Sequence, residues 1–180
     1  EYDYTCIFDY AQGQRRDGEP KAPAATANAA NTEVPPSSGL ETGSSLATLT
    51  IIETQATMNA KDAFRLVGEP GAGSNIHTDE AFAKQNLFGT TVNSGPATMA
   101  FVNQLLEQNC GPFGADHPFA SAPGKLMLRA IRPFRDGDAV TFAGTVTAGG
   151  TPGSRHCEIT GTNQHGQLVC VSSAEVQLPA

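Results

Sequence analysis

NSGPATMAFVNQLLEQNCG, residues 93–111, is the strongest helical signal in the chain. Pro96 suits a helix's first turn, where its missing N–H costs nothing. Met99, Val102, Leu105 and Leu106 recur at intervals of three and four, which gives one apolar face. Cys110-Gly111 ends the run. That face needs a partner, and the sequence that follows supplies one. After a loop carrying Pro112, Pro118 and Pro123, the segments KLMLRAIRPF, VTFAGTVTA, SRHCEITGTN and QLVCVSSAEVQL alternate apolar and polar residues with period two. The turns RDGD, GGTPG and QHG separate them.

Upstream, ATLTIIET (47–54) reads as a short β-branched strand. Ala60, Ala63, Phe64 and Val67 predict a helix over 55–67, ended by Gly68 and Pro70. Thr78 is placed to cap a short helix, DEAFAKQN, with Ala81 and Phe82 facing inward. The first ten residues, EYDYTCIFDY, have the aromatic content of an edge strand or docking arm. From Gly13 to Gly39, Ala, Pro, Ser and Asn dominate, as in a linker. The chain therefore divides into an N-terminal arm or linker, 1–39, and one domain, 40–180. Long antiparallel strands after a single apolar helix predict an α+β class. The expected architecture is an antiparallel sheet wrapped around one long central helix, known as the hotdog fold.

Bulk properties narrow the function. With 39% hydrophobic residues, 16% charged residues and a net charge of -7, the chain reads as an acidic globular protein. A uniformly basic nucleic-acid surface is excluded, so the 11 Lys and Arg act by position. No stretch approaches the ~18 apolar residues of a membrane span, and no signal-peptide pattern opens the chain. A cytoplasmic location and no membrane partner are the expectation. Cys6, Cys110, Cys157 and Cys170 form no CxxC pair, which points to free thiols and no metal site.

The stretch GEPGAGSNIHTDEAFAKQNLFG, from Gly68 to Gly89, places His77 in a glycine-rich loop just before a helix. Together with TIIET…FRLVGE before it, NSGPATM after it, and IRPFRDGD and NQHGQLVCVSSAEVQL at the end, it resembles the MaoC-like family. These are hotdog R-specific enoyl-CoA hydratases and acyl dehydratases. The resemblance spans roughly residues 40–178. The family's loop runs approximately G-D-x-N-P-I-H-x-D, with its Asp and His as the catalytic pair. His77 falls on the histidine, Ile76 on the isoleucine and Asp79 on the final aspartate. Two registers are open for the acid. Counting straight back from His77 gives Ala72, whereas three extra loop residues bring Gly68-Glu69 onto the Gly-Asp pair.

The resemblance implies addition or removal of water on an acyl thioester, with His77 and Glu69 as acid and base. Gly95 falls on the family's glycine at the helix start, where backbone N–H groups polarise the thioester oxygen. Ser94 stands where the family often has histidine. Asn75 is the third candidate substrate-binding residue. No metal or redox cofactor is implied, and coenzyme A or a carrier protein would bring the acyl group. Lys125, Arg129, Arg132 and Arg135 are candidates for its phosphates. His117, His156 and His165 read as structural. A single hotdog leaves a sheet edge unpaired, which predicts a homodimer. Two alternatives stand beside the hydratase: a hotdog enzyme of different reaction, such as thioester hydrolysis or a cyclisation, and a catalytically silent acyl-binding or partner domain.

Overall fold

The computed structural model describes residues 2–6, 41–66, 75–86, 88–110, 125–150 and 154–177. Its elements run β1 (Tyr2–Cys6), β2 (Leu49–Ile52), α1 (Gln55–Leu66), α2 (Glu80–Lys84), α3 (Gly95–Cys110), β3 (Lys125–Ala130), β4 (Ala139–Ala148), β5 (Ser154–Asn163) and β6 (Leu168–Gln177). They form a six-stranded sheet in the order β1-β3-β6-β5-β4-β2. The five strands β2 to β6 pair antiparallel. The N-terminal strand β1 joins the edge in parallel with β3, from Tyr2 opposite Leu126 to Cys6 opposite Ala130.

The helix face expected from spacing is the one that is buried. Val102 and Leu105 are fully buried and Leu106 nearly so, while Met99 and Phe101 pack against the same cluster. Facing them, alternate residues of the strands point inward: Leu126 and Leu128 of β3, Val140, Phe142 and Val146 of β4, and Ile159 of β5. Each such side chain contributes about 1.5–3 kcal/mol by leaving water. The result is a sheet curled around α3, the hotdog fold. Asn109 fixes the far end of the helix, because its Oδ1 accepts from Ala47 N at 2.7 Å and its Nδ2 donates to Ala47 O at 3.1 Å.

The curl requires Gly144 on the inner face of β4. A Cβ there would lie 2.8 Å from Glu158 O, 2.9 Å from Leu46 Cδ1 and 3.0 Å from Ile159 Cγ1. The first of these is backbone and cannot swing away. Gly144→Ala is expected to cost about 1–3 kcal/mol, the usual scale of overpacking. A lowered urea midpoint would show it; an unchanged midpoint would mean that β4 and β5 can separate freely at that point.

Three local expectations are corrected. Asp79, not Thr78, caps α2, accepting from Phe82 N at 2.9 Å. Thr78 Oγ1 is instead engaged by Asn75. The five-residue α2 buries only Ala83, leaving Ala81 and Phe82 exposed. KLMLRAIRPF also stops being a strand at Ala130, because the N–H groups of Ile131 and Arg132 both turn onto Val169 O.

The turn RDGD then organises the approach to α3. Arg135 N donates to Asp138 Oδ2 at 2.8 Å, and Gly137 takes φ +84. Around this turn, Gln55 N donates to Asp136 Oδ1 and Val92 bridges to Arg135. Asn93 N donates to Phe134 O at 2.7 Å. Residues 91–94 are thereby held against the end of the sheet.

Candidate functional site

The loop that carries His77 is built around Asn75. Its Oδ1 accepts from His77 N at 2.8 Å and from Thr78 N at 3.0 Å, while its Nδ2 donates to Thr78 Oγ1 at 2.8 Å. An asparagine side chain that replaces a backbone acceptor in this way is a common way to fix a tight turn. Asn75 is thus a residue that shapes the loop. Asn75→Ala is expected to cost about 1–2 kcal/mol by stranding two N–H groups. Asn75→Asp keeps both acceptors and should cost less in chemical denaturation; equal losses would contradict this role.

The half-buried His77 ring is fixed from the other side. Its Nδ1 lies 2.8 Å from Val92 O. A carbonyl oxygen only accepts, so Nδ1 carries the hydrogen and Nε2 of the neutral ring presents a lone pair. Val92 N in turn donates to Ile76 O at 3.1 Å, which ties the loop to the segment entering α3. Gln55, at the start of α1, adds a strap: its Nε2 reaches His77 O and Thr78 O, and its Oε1 accepts from Thr91 Oγ1.

His77 opens onto a cavity of about 280 Å³ at the start of α3. Asn93, Ser94, Gly95 and Thr98 line it on the helix side, and Ala130, Arg132, Val169 and Cys170 on the sheet side. His77, Ser94 and Gly95 thus line one cavity. Glu69 and Ala72 lie outside the described residues, and so does His117. His156 sits on β5 and His165 in the turn after it, neither in this cavity. Of the four basic candidates Arg132 lines the cavity, and its guanidinium donates to Leu168 O at 3.1 Å.

At the helix start, Thr98 N donates to Ser94 O at 3.0 Å, which makes Ser94 the cap. The first-turn N–H groups of Gly95 and Ala97 have no intrahelical acceptor by helix geometry, and Pro96 has no N–H. Positive potential therefore collects beside Gly95.

Asn93 and Thr98 were not singled out from sequence. Thr98 Oγ1 donates to Ser94 O, so it accepts from Asn93 Nδ2 at 2.9 Å, which fixes the amide's orientation. The buried Asn93 Oδ1 has no hydrogen-bond partner among the described residues. A polar pair at the head of a helix with one apolar face was the signal available. Cys157 and Cys170 are free and buried, and burial pushes their thiols up to about 11 and about 12. Neither is a nucleophile at neutral pH.

No family model matches the chain, and no curated protein matches it in sequence. Solved structures match it in shape. The (R)-hydratase PhaJ1 from Pseudomonas aeruginosa is 21% identical with a TM-score of 0.60, over 78% of this chain and 83% of that one. The (R)-hydratase from A. caviae involved in PHA biosynthesis is 24% identical with a TM-score of 0.59, over 79% of this chain and 100% of that one. A MaoC-like dehydratase from Rhodospirillum rubrum is 25% identical with a TM-score of 0.55, over 78% and 96%. A helix with one buried apolar face, wrapped by five antiparallel strands, is thus the hotdog fold that this chain shares with these hydratase and MaoC-like dehydratase structures.

Proposed function

We propose that the chain is a hydratase or dehydratase of acyl thioesters, with His77 as its acid and base. The observation that carries this reading is the hydrogen bond from His77 Nδ1 to Val92 O, which leaves Nε2 as a lone pair in a cavity at the start of α3. Solved structures of the same shape described as (R)-hydratases support it.

In the hydration direction, Nε2 takes a proton from water while the water oxygen bonds to the β-carbon of an enoyl thioester. The C=C electron pair moves onto the thioester oxygen, which the N–H groups of the α3 first turn stabilise. The imidazolium then returns its proton to the α-carbon. One water is consumed and the ring is restored. Dehydration is the reverse path. Glu69 is the proposed carboxylate that shares the water with His77, and Ser94 and Gly95 form the wall beside the thioester.

The test is mass spectrometry of the purified protein incubated with a panel of enoyl and 3-hydroxyacyl thioesters. Gain or loss of one water on the intact thioester is expected. Release of a free acid would favour hydrolysis, and an unchanged panel would favour a silent binding domain. The same reading includes a cytoplasmic homodimer. Light scattering at micromolar concentration should report twice the chain mass; the mass of one chain would remove the dimer.

A further inference from the structure

We propose that Asn93 recognises the reacting hydroxyl, its side-chain Oδ1 accepting from the O–H that the reaction leaves intact, an inference that rests on the acyl-thioester reading above. Asn93 lines the cavity and is 8% exposed. Its Nδ2 is occupied by Thr98 Oγ1 at 2.9 Å, so the amide cannot turn over without losing that bond. Its Oδ1 is buried and has no hydrogen-bond partner among the described residues. A buried acceptor removed from water is costly to leave unpaired. In a residue that lines a binding cavity, such an atom points to a donor on the ligand.

The backbone around this amide is held on both sides. Asn93 N donates to Phe134 O at 2.7 Å, and the carbonyl before it, Val92 O, receives His77 Nδ1 at 2.8 Å. The acceptor therefore belongs to the residue next to the one that orients the base. An amide oxygen takes donors only, and the carbons, sulfur and carbonyl oxygen of an enoyl thioester supply none. The reacting oxygen does. In hydration, Nε2 removes one hydrogen of the water as its oxygen bonds to the β-carbon, and the other hydrogen stays on that oxygen as the 3-hydroxyl. His77 and Glu69 serve the proton that moves. Asn93 Oδ1 holds the hydrogen that stays, which aims a lone pair of the oxygen at the β-carbon. In dehydration the same contact holds the 3-hydroxyl while the imidazolium protonates it and the C–O bond breaks.

Calorimetry on His77→Ala protein, which leaves the ligands intact, compares butyryl-coenzyme A with each enantiomer of 3-hydroxybutyryl-coenzyme A. One enantiomer is expected to bind about tenfold tighter than butyryl, the scale of one hydrogen bond to a buried acceptor. Adding Asn93→Leu, similar in size but without an acceptor, should erase that preference and leave butyryl within about threefold. Asn93→Asp keeps an acceptor and should keep the preference. With His77 intact, Asn93→Leu should lower kcat for crotonyl hydration by about tenfold at unchanged KM, because crotonyl carries no hydroxyl. If Asn93→Leu fails to fold, Asn93→Ala removes the acceptor with less bulk and is read in the same way. No binding, no preference for either enantiomer, or a preference that survives Asn93→Leu overturns the proposal. Equal weakening of all three ligands by Asn93→Leu also overturns it, by assigning Oδ1 to an N–H of the coenzyme. Turnover is scored separately. A preference that depends on Asn93, without hydration by the wild type, supports the proposal and removes the hydratase reading, whereas hydration with no such preference removes the proposal and keeps that reading.

Discussion

His77→Ala is expected to lower kcat/KM for enoyl-thioester hydration by about 10²- to 10⁴-fold, the range for a positioned acid–base group. The fold should survive. The ring is only half-buried, and among the described residues it forms one side-chain hydrogen bond, to Val92 O, whose loss costs on the order of 1 kcal/mol. That corresponds to a fall in Tm of roughly 2–4 °C for a chain of this size. His77→Asn sharpens the test. Its side-chain amide offers a donor for Val92 O but no basic nitrogen, so it should be as inactive as alanine while recovering stability. An asparagine variant with normal turnover would show that the ring serves the loop and not the chemistry.

The largest effect on stability is expected at Lys61, away from the cavity. Glu53 is 1% exposed, and its carboxylate is held by Lys61 Nζ and by Thr57 Oγ1 at 3.2 Å. Lys61 also lies 4.7 Å above the Phe101 ring, itself 6.2 Å from the rings of Phe134 and Phe142. Lys61→Met leaves the buried carboxylate without its counter-charge, at a cost of about 3–5 kcal/mol. Because the lysine side chain is 29% exposed, the lower end is expected, with a fall in Tm of roughly 10 °C. Glu53→Gln combined with Lys61→Met removes both charges and should recover much of the loss. A double variant no more stable than Lys61→Met would show that the damage is packing and not charge.

Elements that bury one face were legible in the sequence. Helix α3 announced its buried residues through the spacing of Val102, Leu105 and Leu106, and β3 to β6 did so through alternation. Both patterns record burial directly. Short, half-exposed elements were not legible in detail. In α2, Thr78 and Asp79 are both good caps, and the choice fell to Asp79 because Asn75 engages Thr78. The end of β3, at Ala130, was set by Val169, 39 residues further along. The site divided in the same way. The positions of His77, Ser94 and Gly95 followed from the loop and the helix start. The tautomer of His77 depends on Val92, and the strap from Gln55 on Thr91. The Asn93–Thr98 pair is invisible until the helix start is folded. Contacts between elements leave no local period to read.

The measurement that bears most directly on this account is hydration in D₂O. Crotonyl thioester incubated with the wild-type protein, and separately with His77→Ala, would be followed by mass spectrometry and NMR. Wild type is expected to form 3-hydroxybutyryl thioester with one carbon-bound deuterium, at the α-carbon. That label would have passed from solvent through His77 Nε2. The variant should leave the substrate unchanged over the same time. Crotonyl thioester recovered intact from the wild-type protein, or cleaved to the free acid and thiol, would contradict the account.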